Sequence, residues 1–368
     1  MSKTSDKATS KRKNQEGEGA GRSLGEFKHI HNPDADVVYL RQRIQELEAK
    51  AQSARSETGE ALELVHGMQT AISICSPVKM AYKPSKNPSS PVTHVLHLTD
   101  LHYGEVINKD EIDGFGDFSP EIAEARLHFL AQKIIDKTNI QRHGYNVPHL
   151  HIIGTGDYIS GGIHHELLVT NAFPEPVQAV KCGYALGAMI EMFAPHFETI
   201  TADFVTLDNH GRMTKKNQAA QGGENNWGYV VAHVIKQYCS KLANVNVRVH
   251  AKPTALVTVG PEKYLCFHGH QMKGWAGKPY YGFDRRVAME AVKRMGIPDQ
   301  SFTKMVFGHY HTATNEKDWQ LGGSLSGTSA FDHSCGRHSK PHQTSWFVHP
   351  GHGEFDWTRW WLDQGEIK

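Results

Sequence analysis

From residue 92 onward the chain predicts an α/β fold, a two-sheet core flanked by helices, carried behind an N-terminal helical, coiled-coil extension. Three features point there. Short apolar runs first alternate with helical patterns and then follow one another as strands, the order expected when two sheets pack together with helices outside. Several of these runs end in polar clusters rich in Asp, Asn and His. Ahead of residue 92 the composition changes twice, from a heptad pattern to a proline-rich stretch.

The N-terminal third divides by composition. Residues 1–33 are rich in Ser, Lys, Gly and Glu and cannot bury enough apolar area to offset ordering, so a disordered tail is expected. Its basic cluster Lys11-Arg12-Lys13 reads as solubilising, with contact to nucleic acid as the alternative. Residues 34–76 form the helical segment: Val37, Leu40, Ile44, Leu47, Ala51 and Ala54 step by threes and fours, the seam of a coiled coil. The register continues through Thr58, Ala61, Val65, Met68, Ile72 and Cys75, weakened at Gly59. A self-associating coiled coil through residues 37–75, and hence a homo-oligomer, is favoured over a hairpin folded back at Gly59. Residues 77–91, with Pro77, Pro84, Pro88 and Pro91, form a linker. Residues 92–368 are expected to form the main folded domain.

Within that domain a buried run (Val95, Leu96, Leu98) leads into Asp100 and His102. Ser119-Pro120-Glu121 starts a helix with Ser as N-cap, and Ile122, Phe129, Leu130, Ile134 and Ile135 give it an apolar face. The strand 148–153 precedes Asp157, and a helix follows over 175–193. The run 204–207 leads to Asp208-Asn209-His210 and a helix over 226–242. Strands over 245–249, 255–259 and 264–267, a helix over 284–295 and a strand over 304–307 come next. The remaining runs, 322–327, 344–349 and 354–361, read as strands.

Composition narrows the function classes. The 368 residues leave room for one large domain plus an appendage. A formal net charge of +1 supplies no global field for nucleic acid, so any basic surface is local. The five cysteines, Cys75, Cys182, Cys239, Cys266 and Cys335, are scattered without a C-x-x-C, which argues against a disulfide framework or a zinc knuckle. A reducing cytoplasm is expected (the host's, should the chain be viral). No apolar run approaches the ~20 residues of a membrane span and the N-terminus lacks an apolar signal core, so a soluble protein with no membrane partner is expected. Histidine stands out with 25 copies. On strand-like runs, His94, His97, His149 and His151 read as packed or hydrogen-bonded imidazoles.

Ligands of open α/β sheets lie at the carboxyl ends of strands, where these clusters fall. A lone D-x-H arises by chance, and a lone Gly-Asp is usually a turn. Their succession carries more: Asp100-Leu-His102, Gly156-Asp157, Asp208-Asn209-His210, His268-Gly269-His270 and Gly308-His309-Tyr310-His311. Together, over roughly residues 92–330, they resemble the calcineurin-like metallophosphoesterases, whose signature runs D-x-H, G-D, G-N-H-[D/E], H, G-H-x-H. The resemblance implies a four-layer αββα sandwich around two divalent transition-metal ions. It places Asp100, His102 and His311 on the first ion and Asn209, His268 and His309 on the second, with Asp157 bridging. Mixed oxygen and imidazole donors suit Mn, Fe, Zn or Ni better than Mg or Ca, and Mn is favoured. Two ions about 3.5–4 Å apart clamp the oxygens of an in-line displacement at phosphorus, with a bridging hydroxide as nucleophile.

By the same resemblance His210 is the general acid. The chain departs from the pattern around it: Asp208 replaces the glycine before Asn209, and Gly211 replaces the acid after His210. The usual orienting carboxylate is therefore missing, and Asp208 is a poor substitute because adjacent side chains on a strand point oppositely. Either another acid serves or His210 matters less. The fourth motif offers His268 or His270; His268 is preferred because it ends the strand, leaving His270 either behind the ligands or near substrate.

Arg212, Lys215 and Lys216 follow in a loop suited to phosphates, Arg212 through a bidentate fork, unless the loop is simply solvated. Lys273, Lys278, Arg285 and Arg286 interleave with Trp275, Tyr280 and Tyr281. Such a stretch can stack bases and follow a phosphate backbone, although the aromatics could equally be core. The favoured expectation is a binuclear metal-dependent phosphodiester hydrolase, a nuclease on DNA or RNA. It would resemble the Mre11 and SbcD nuclease branch and stand-alone phage proteins, with Asp157, His210 and Arg212 catalytic and His270, Arg212, Lys215 and Lys216 binding substrate. The alternatives are a phosphomonoesterase or protein phosphatase, a cyclic-nucleotide or dinucleotide phosphodiesterase, and an inactive scaffold or DNA-binding accessory protein.

Overall fold

A computed structural model describes residues 91–163, 166–214, 216, 222–272 and 279–363, together with Gln45. The expected tail, heptad segment and most of the linker lie outside these residues. The first half contains β1 (Pro91–Leu98), α1 (Pro120–Gln141), β2 (Asn146–Gly154), α2 (Leu167–Thr170), α3 (Glu175–Phe193), β3 (Thr199–Val205) and α4 (Trp227–Tyr238). Then come β4 (Val245–His250), β5 (Ala255–Val259), β6 (Glu262–Cys266), α5 (Tyr280–Arg294) and β7 (Lys304–Phe307). The last elements are β8 (Thr314–Asn315), β9 (Trp319–Leu321), α6 (Ala330–Ser334), β10 (His342–His349) and β11 (Gly353–Trp361).

Two sheets form. One is six-stranded, ordered β11-β10-β1-β2-β3-β4, with β1 to β4 parallel and β10 and β11 antiparallel at one edge. The other is five-stranded, ordered β5-β6-β7-β9-β8. Because β1 to β3 are covered on both faces, their apolar residues run on rather than alternate. Leu96, Ile152 and Phe204 pack under α1, α3 and α4. Val95, Ile153 and Val205 face the second sheet and meet Val257, Tyr264 and Val306. Each such buried aliphatic side chain contributes roughly 1.5–3 kcal/mol. Trp346 of β10 joins the layers, donating from Nε1 to Tyr264 Oη at 2.9 Å. On the outer face of the second sheet Phe267, Met305 and Phe307 pack against Phe283 and Val287 of α5. The layers therefore run helices, sheet, sheet, helix: the αββα sandwich.

Local signals explain the helix starts. Ser119 Oγ accepts from Ile122 N at 3.3 Å with Pro120 in the first turn, and Asn226 Oδ1 accepts from Gly228 N at 2.8 Å. His94, buried, is a structural imidazole. The Thr138 hydroxyl already donates to Ile134 O, so His94 Nδ1–H donates to Thr138 Oγ1 at 2.8 Å and Nε2 accepts from Ser345 Oγ at 3.0 Å. Burial, then the nearby Lys137 and Arg142, pull its pKa down to about 3. His97, His149 and His151 bond to Thr155, Thr199 and Asp203.

Several boundaries differ from expectation, among them β3, which spans Thr199–Val205 where the sequence predicts 204–207, and α4, which ends at Tyr238 rather than 242. Pro91 opens β1 rather than closing the linker, and α5 begins at Tyr280, ahead of Asp284. The strand expected over 322–327 is a loop, because β9 ends at Leu321. A Cβ on Gly322 would lie 2.3 Å from Thr99 Cγ2, and one on Gly323 2.3 Å from His342 O. Gly322 thus lies flush against the loop after β1 and Gly323 against β10, and Leu325 N donates to Asp100 O at 3.0 Å instead of to a neighbouring strand. Among the described cysteines Cys182, Cys239 and Cys266 are buried thiols and Cys335 is exposed. No described helix is long and apolar enough to cross a membrane.

Candidate metal centre

The donor loops leave the strand ends through left-handed backbone. Asp100 (φ 51°), His102 (46°), Asp157 (48°), His309 (76°) and His311 (54°) all have positive φ. Few non-glycine residues do, and such outliers gather at functional sites. Backbone pairing holds them there: Leu101 N donates to Asp157 O at 2.8 Å and His102 N to the same oxygen at 3.1 Å. Gln343 clamps Thr99, accepting from its N at 3.0 Å and donating to its O at 2.9 Å.

Three donor sets result, each with its atoms within 4.8 Å of one another: Asp100–His102–His311, Asp157–His268–His309 and His102–Asp157–His210. The third shares His102 with the first and Asp157 with the second, so Asp157 stands where a bridging carboxylate would. His102 Nε2 and His311 Nε2 face each other at 3.0 Å, and His311 Nε2 lies 3.5 Å from Asp100 Oδ1. His268 Nε2 is 2.9 Å from Asp157 Oδ2 without hydrogen-bond alignment. Asn209 Oδ1 is buried without any hydrogen-bond partner. Imidazole nitrogens converging on carboxylates, with an orphaned buried amide oxygen beside them, fit divalent transition-metal ions.

The electrostatics divide the imidazoles between neutral rings and one held by the central carboxylate. Burial pulls the His102 and His309 imidazoles down to about 3, keeping them neutral as ligation requires. Burial also opposes charge on His268, but Asp157 more than offsets it and pushes the imidazole up to about 9. Burial works against ionised Asp157 as well, yet His268 and His210 hold it well below the usual carboxylate range.

Further groups fix the donors. His268 Nδ1 lies 2.9 Å from Thr155 O, and His311 Nδ1 lies 3.1 Å from Asp332 Oδ2. In each case the bond turns Nε2 toward the centre. Asp100 Oδ2 accepts from Thr99 Oγ1 at 2.7 Å and from His309 N at 2.9 Å. Asp208 does not orient His210. Its Oδ2 accepts from Asp157 N at 2.8 Å, and its Oδ1 accepts from Gly211 N at 2.7 Å and Asn226 Nδ2 at 3.0 Å, so it ties the second and third motifs together. What orients His210 is a backbone carbonyl, Ser160 O, 2.7 Å from Nδ1. That leaves His210 Nε2 facing the centre, 4.0 Å from Asp157 Oδ2.

The expected substrate residues are placed less uniformly. Arg212 spends Nη1 on Asn209 O at 2.7 Å and Nε on Thr214 O at 3.1 Å, so these donors brace the loop rather than form an outward fork. Lys216 is exposed, and Lys215 lies outside the described residues. The His270 ring centres 5.6 Å from that of His268, its buried Nδ1 unpartnered. Lys273, Trp275 and Lys278 are outside the described residues; Arg285, Tyr280 and Tyr281 are on α5 with Arg286. Asp332, Thr99 and Gln343 escaped sequence reading. Asp332 sits in Ser329-x-x-Asp332, which signals only a helix start.

No protein-family model and no curated protein sequence matches the chain. Among solved structures it is similar to Vps29 of Entamoeba histolytica complexed with zinc (10% identity, 73% of this chain and 99% of that one, TM-score 0.28). It is also similar to vacuolar protein sorting 29 of Cryptosporidium parvum (11%, 73% and 98%, 0.31). A third is a conserved uncharacterized protein of Streptococcus pneumoniae TIGR4, described as a predicted phosphoesterase (9%, 74% and 99%, 0.26). The fold and donor array of this chain themselves define its class: a two-sheet α/β sandwich with a histidine- and carboxylate-rich centre at its strand ends.

Proposed function

We propose that the chain is a calcineurin-like metallophosphoesterase that hydrolyses phosphodiesters, with a nucleic acid as substrate. The observation that carries this is Asp157, linked to the donors on either side of it at the strand ends. Two divalent ions held by Asp100, His102, Asp157, Asn209, His268, His309 and His311, Mn favoured, would supply Lewis acidity and an ionised water at neutral pH. The protein's part follows from the geometry. His210, its Nδ1 fixed by Ser160 O, presents Nε2 to the centre and can deliver a proton to a leaving oxygen. His270 offers a ring nitrogen beside the second donor set for a substrate oxygen.

Wild type and Asp157→Asn are compared on a chromogenic phosphodiester and a phosphomonoester with added Mn, alongside metal analysis of both proteins. Diester turnover lost in the variant supports the reading. Turnover confined to the monoester replaces it with a phosphatase, and metal-free protein inert on both replaces it with a scaffold. We also propose a homo-oligomer through residues 37–75. Sedimentation of the full chain as a monomer at every concentration would refute that.

A further inference from the structure

We infer that a basic trough beside the second donor set is the track along which the phosphate backbone of a single-stranded nucleic acid lies, an inference that rests on the phosphodiesterase reading above. The trough encloses about 980 Å³ between α5 and the turn from β4 to β5. Its α5 wall carries Arg286, Lys293 and Arg294; the opposite wall carries Lys252. Gln271 lies along it, next in the chain to His270, whose ring centres 5.6 Å from that of His268.

The charge arrangement argues for a chain of phosphates. Four cations line the trough, and two carboxylates oppose them: Glu224 in the lining and Glu290 behind the α5 wall. The surplus exceeds the +1 of the whole chain. Glu290 is buried, 2.8 Å from Arg286, 3.2 Å from Arg294 and 3.7 Å from Lys293. Arg294 is further tied to Gln300 Oε1 at 2.9 Å and Thr254 Oγ1 at 3.0 Å, so it braces the wall and leaves Lys252, Lys293 and Arg286 to meet phosphates. Lys252 and Lys293 keep their ammonium groups exposed.

Size and lining narrow the ligand. The volume sits at the top of the roughly 300–1,000 Å³ range of small-molecule clefts. A lone phosphate has no use for cations spread over two walls, whereas successive phosphates of one strand do. The aromatic ring in the lining, Phe267, is buried beneath the Arg286 guanidinium, its centre 5.7 Å away, and is not free to stack a base. The trough therefore grips the backbone and is indifferent to sequence.

The test uses the full-length protein, the double variant Lys252→Ala/Lys293→Ala and the milder Lys252→Gln/Lys293→Gln. Neither lysine belongs to the donor sets. Fluorescence anisotropy of a labelled single-stranded oligodeoxynucleotide is recorded across a salt series. Both variants should bind about tenfold more weakly at 0.1 M salt, and the slope of log K against log salt should shrink by about 1.4, near 0.7 for each lost contact. Hydrolysis of the small chromogenic diester should be unchanged. Wild-type affinity and slope in both variants overturns the inference, as does a wild type that ignores the oligonucleotide while hydrolysing the small diester; the phosphodiesterase reading survives both results. Lysine-dependent binding without any diester hydrolysis does the reverse, keeping the track and removing the catalytic reading.

Discussion

Replacing Asp332 by Asn should weaken one metal site and spare the other. The carboxylate is buried on α6, its Oδ2 3.1 Å from His311 Nδ1 and accepting from Ser329 Oγ at 2.9 Å. His311 belongs to the set with Asp100 and His102; the set with Asp157 and His309 has its own anchor in Thr155 O behind His268. An Asn of nearly the same shape still accepts from Ser329, so the helix cap and the fold persist while the charge behind His311 disappears. Losing a partner of this kind costs about 10–100-fold in metal affinity, or roughly 1.4–2.7 kcal/mol. Calorimetric titration of metal-free protein with Mn should show two sites in wild type, with only one displaced in the variant, and thermal denaturation should confirm the fold. Two sites of wild-type affinity would show that the carboxylate does not act through His311. Equal weakening of both would show that it acts through the fold as a whole.

Gly308→Ala should be severe, because the new Cβ would lie 1.9 Å from Thr99 Oγ1 and 2.3 Å from Asp100 Oδ2. We expect a loss of about 1–3 kcal/mol in denaturant unfolding together with weakened metal uptake, and an unchanged variant would show that the loop yields at this contact without cost. His210→Asn should reduce turnover about 10²–10⁴-fold with metal content intact; unaltered turnover removes the imidazole from proton transfer. His94 sets a pH dependence of stability. Its folded pKa of about 3 lies below the unfolded 6.5, so between these values the unfolded chain binds more protons and stability falls as pH falls. At pH 5 the penalty relative to pH 7 is about 2 kcal/mol, and His94→Gln should flatten the difference between the two pH values by that amount. Equal slopes in both proteins would show that His94 is not the titrating group.

Much of this was legible in the chain because β1 to β3 and β7 are short apolar runs and their polar sequels are the donors themselves. What escaped was set by tertiary contact. Residues 322–327 are Gly-Gly-Ser-Leu-Ser-Gly, a composition that favours a loop, and Gly322 and Gly323 are pressed against Thr99 and His342, contacts that no local pattern encodes. Helix α5 starts at Tyr280 because Phe283, within its first turn, fills a slot against Phe307 and Trp319. The groups that orient His210 and His268 are the carbonyls of Ser160 and Thr155, and every residue has a carbonyl. Asp332 lies 21 residues beyond His311 with no periodic relation to it.

The left-handed donors bear on how such a centre is kept or lost over generations. At His102 and His309 a glycine would relieve a backbone cost of roughly 1–2 kcal/mol per residue, partly offset by the chain entropy that glycine adds. His309 N would still donate to Asp100, and His102 would forfeit the contact of its Nε2 with His311 Nε2 at 3.0 Å, its Nδ1 having no partner. The metal-free fold therefore selects for these two imidazoles only through that contact and their ring packing against His210 and His268. On the metallophosphoesterase reading proposed above, bound ions would be the main force keeping histidine there, so a lineage released from their work should shed these positions first while its sandwich stays whole.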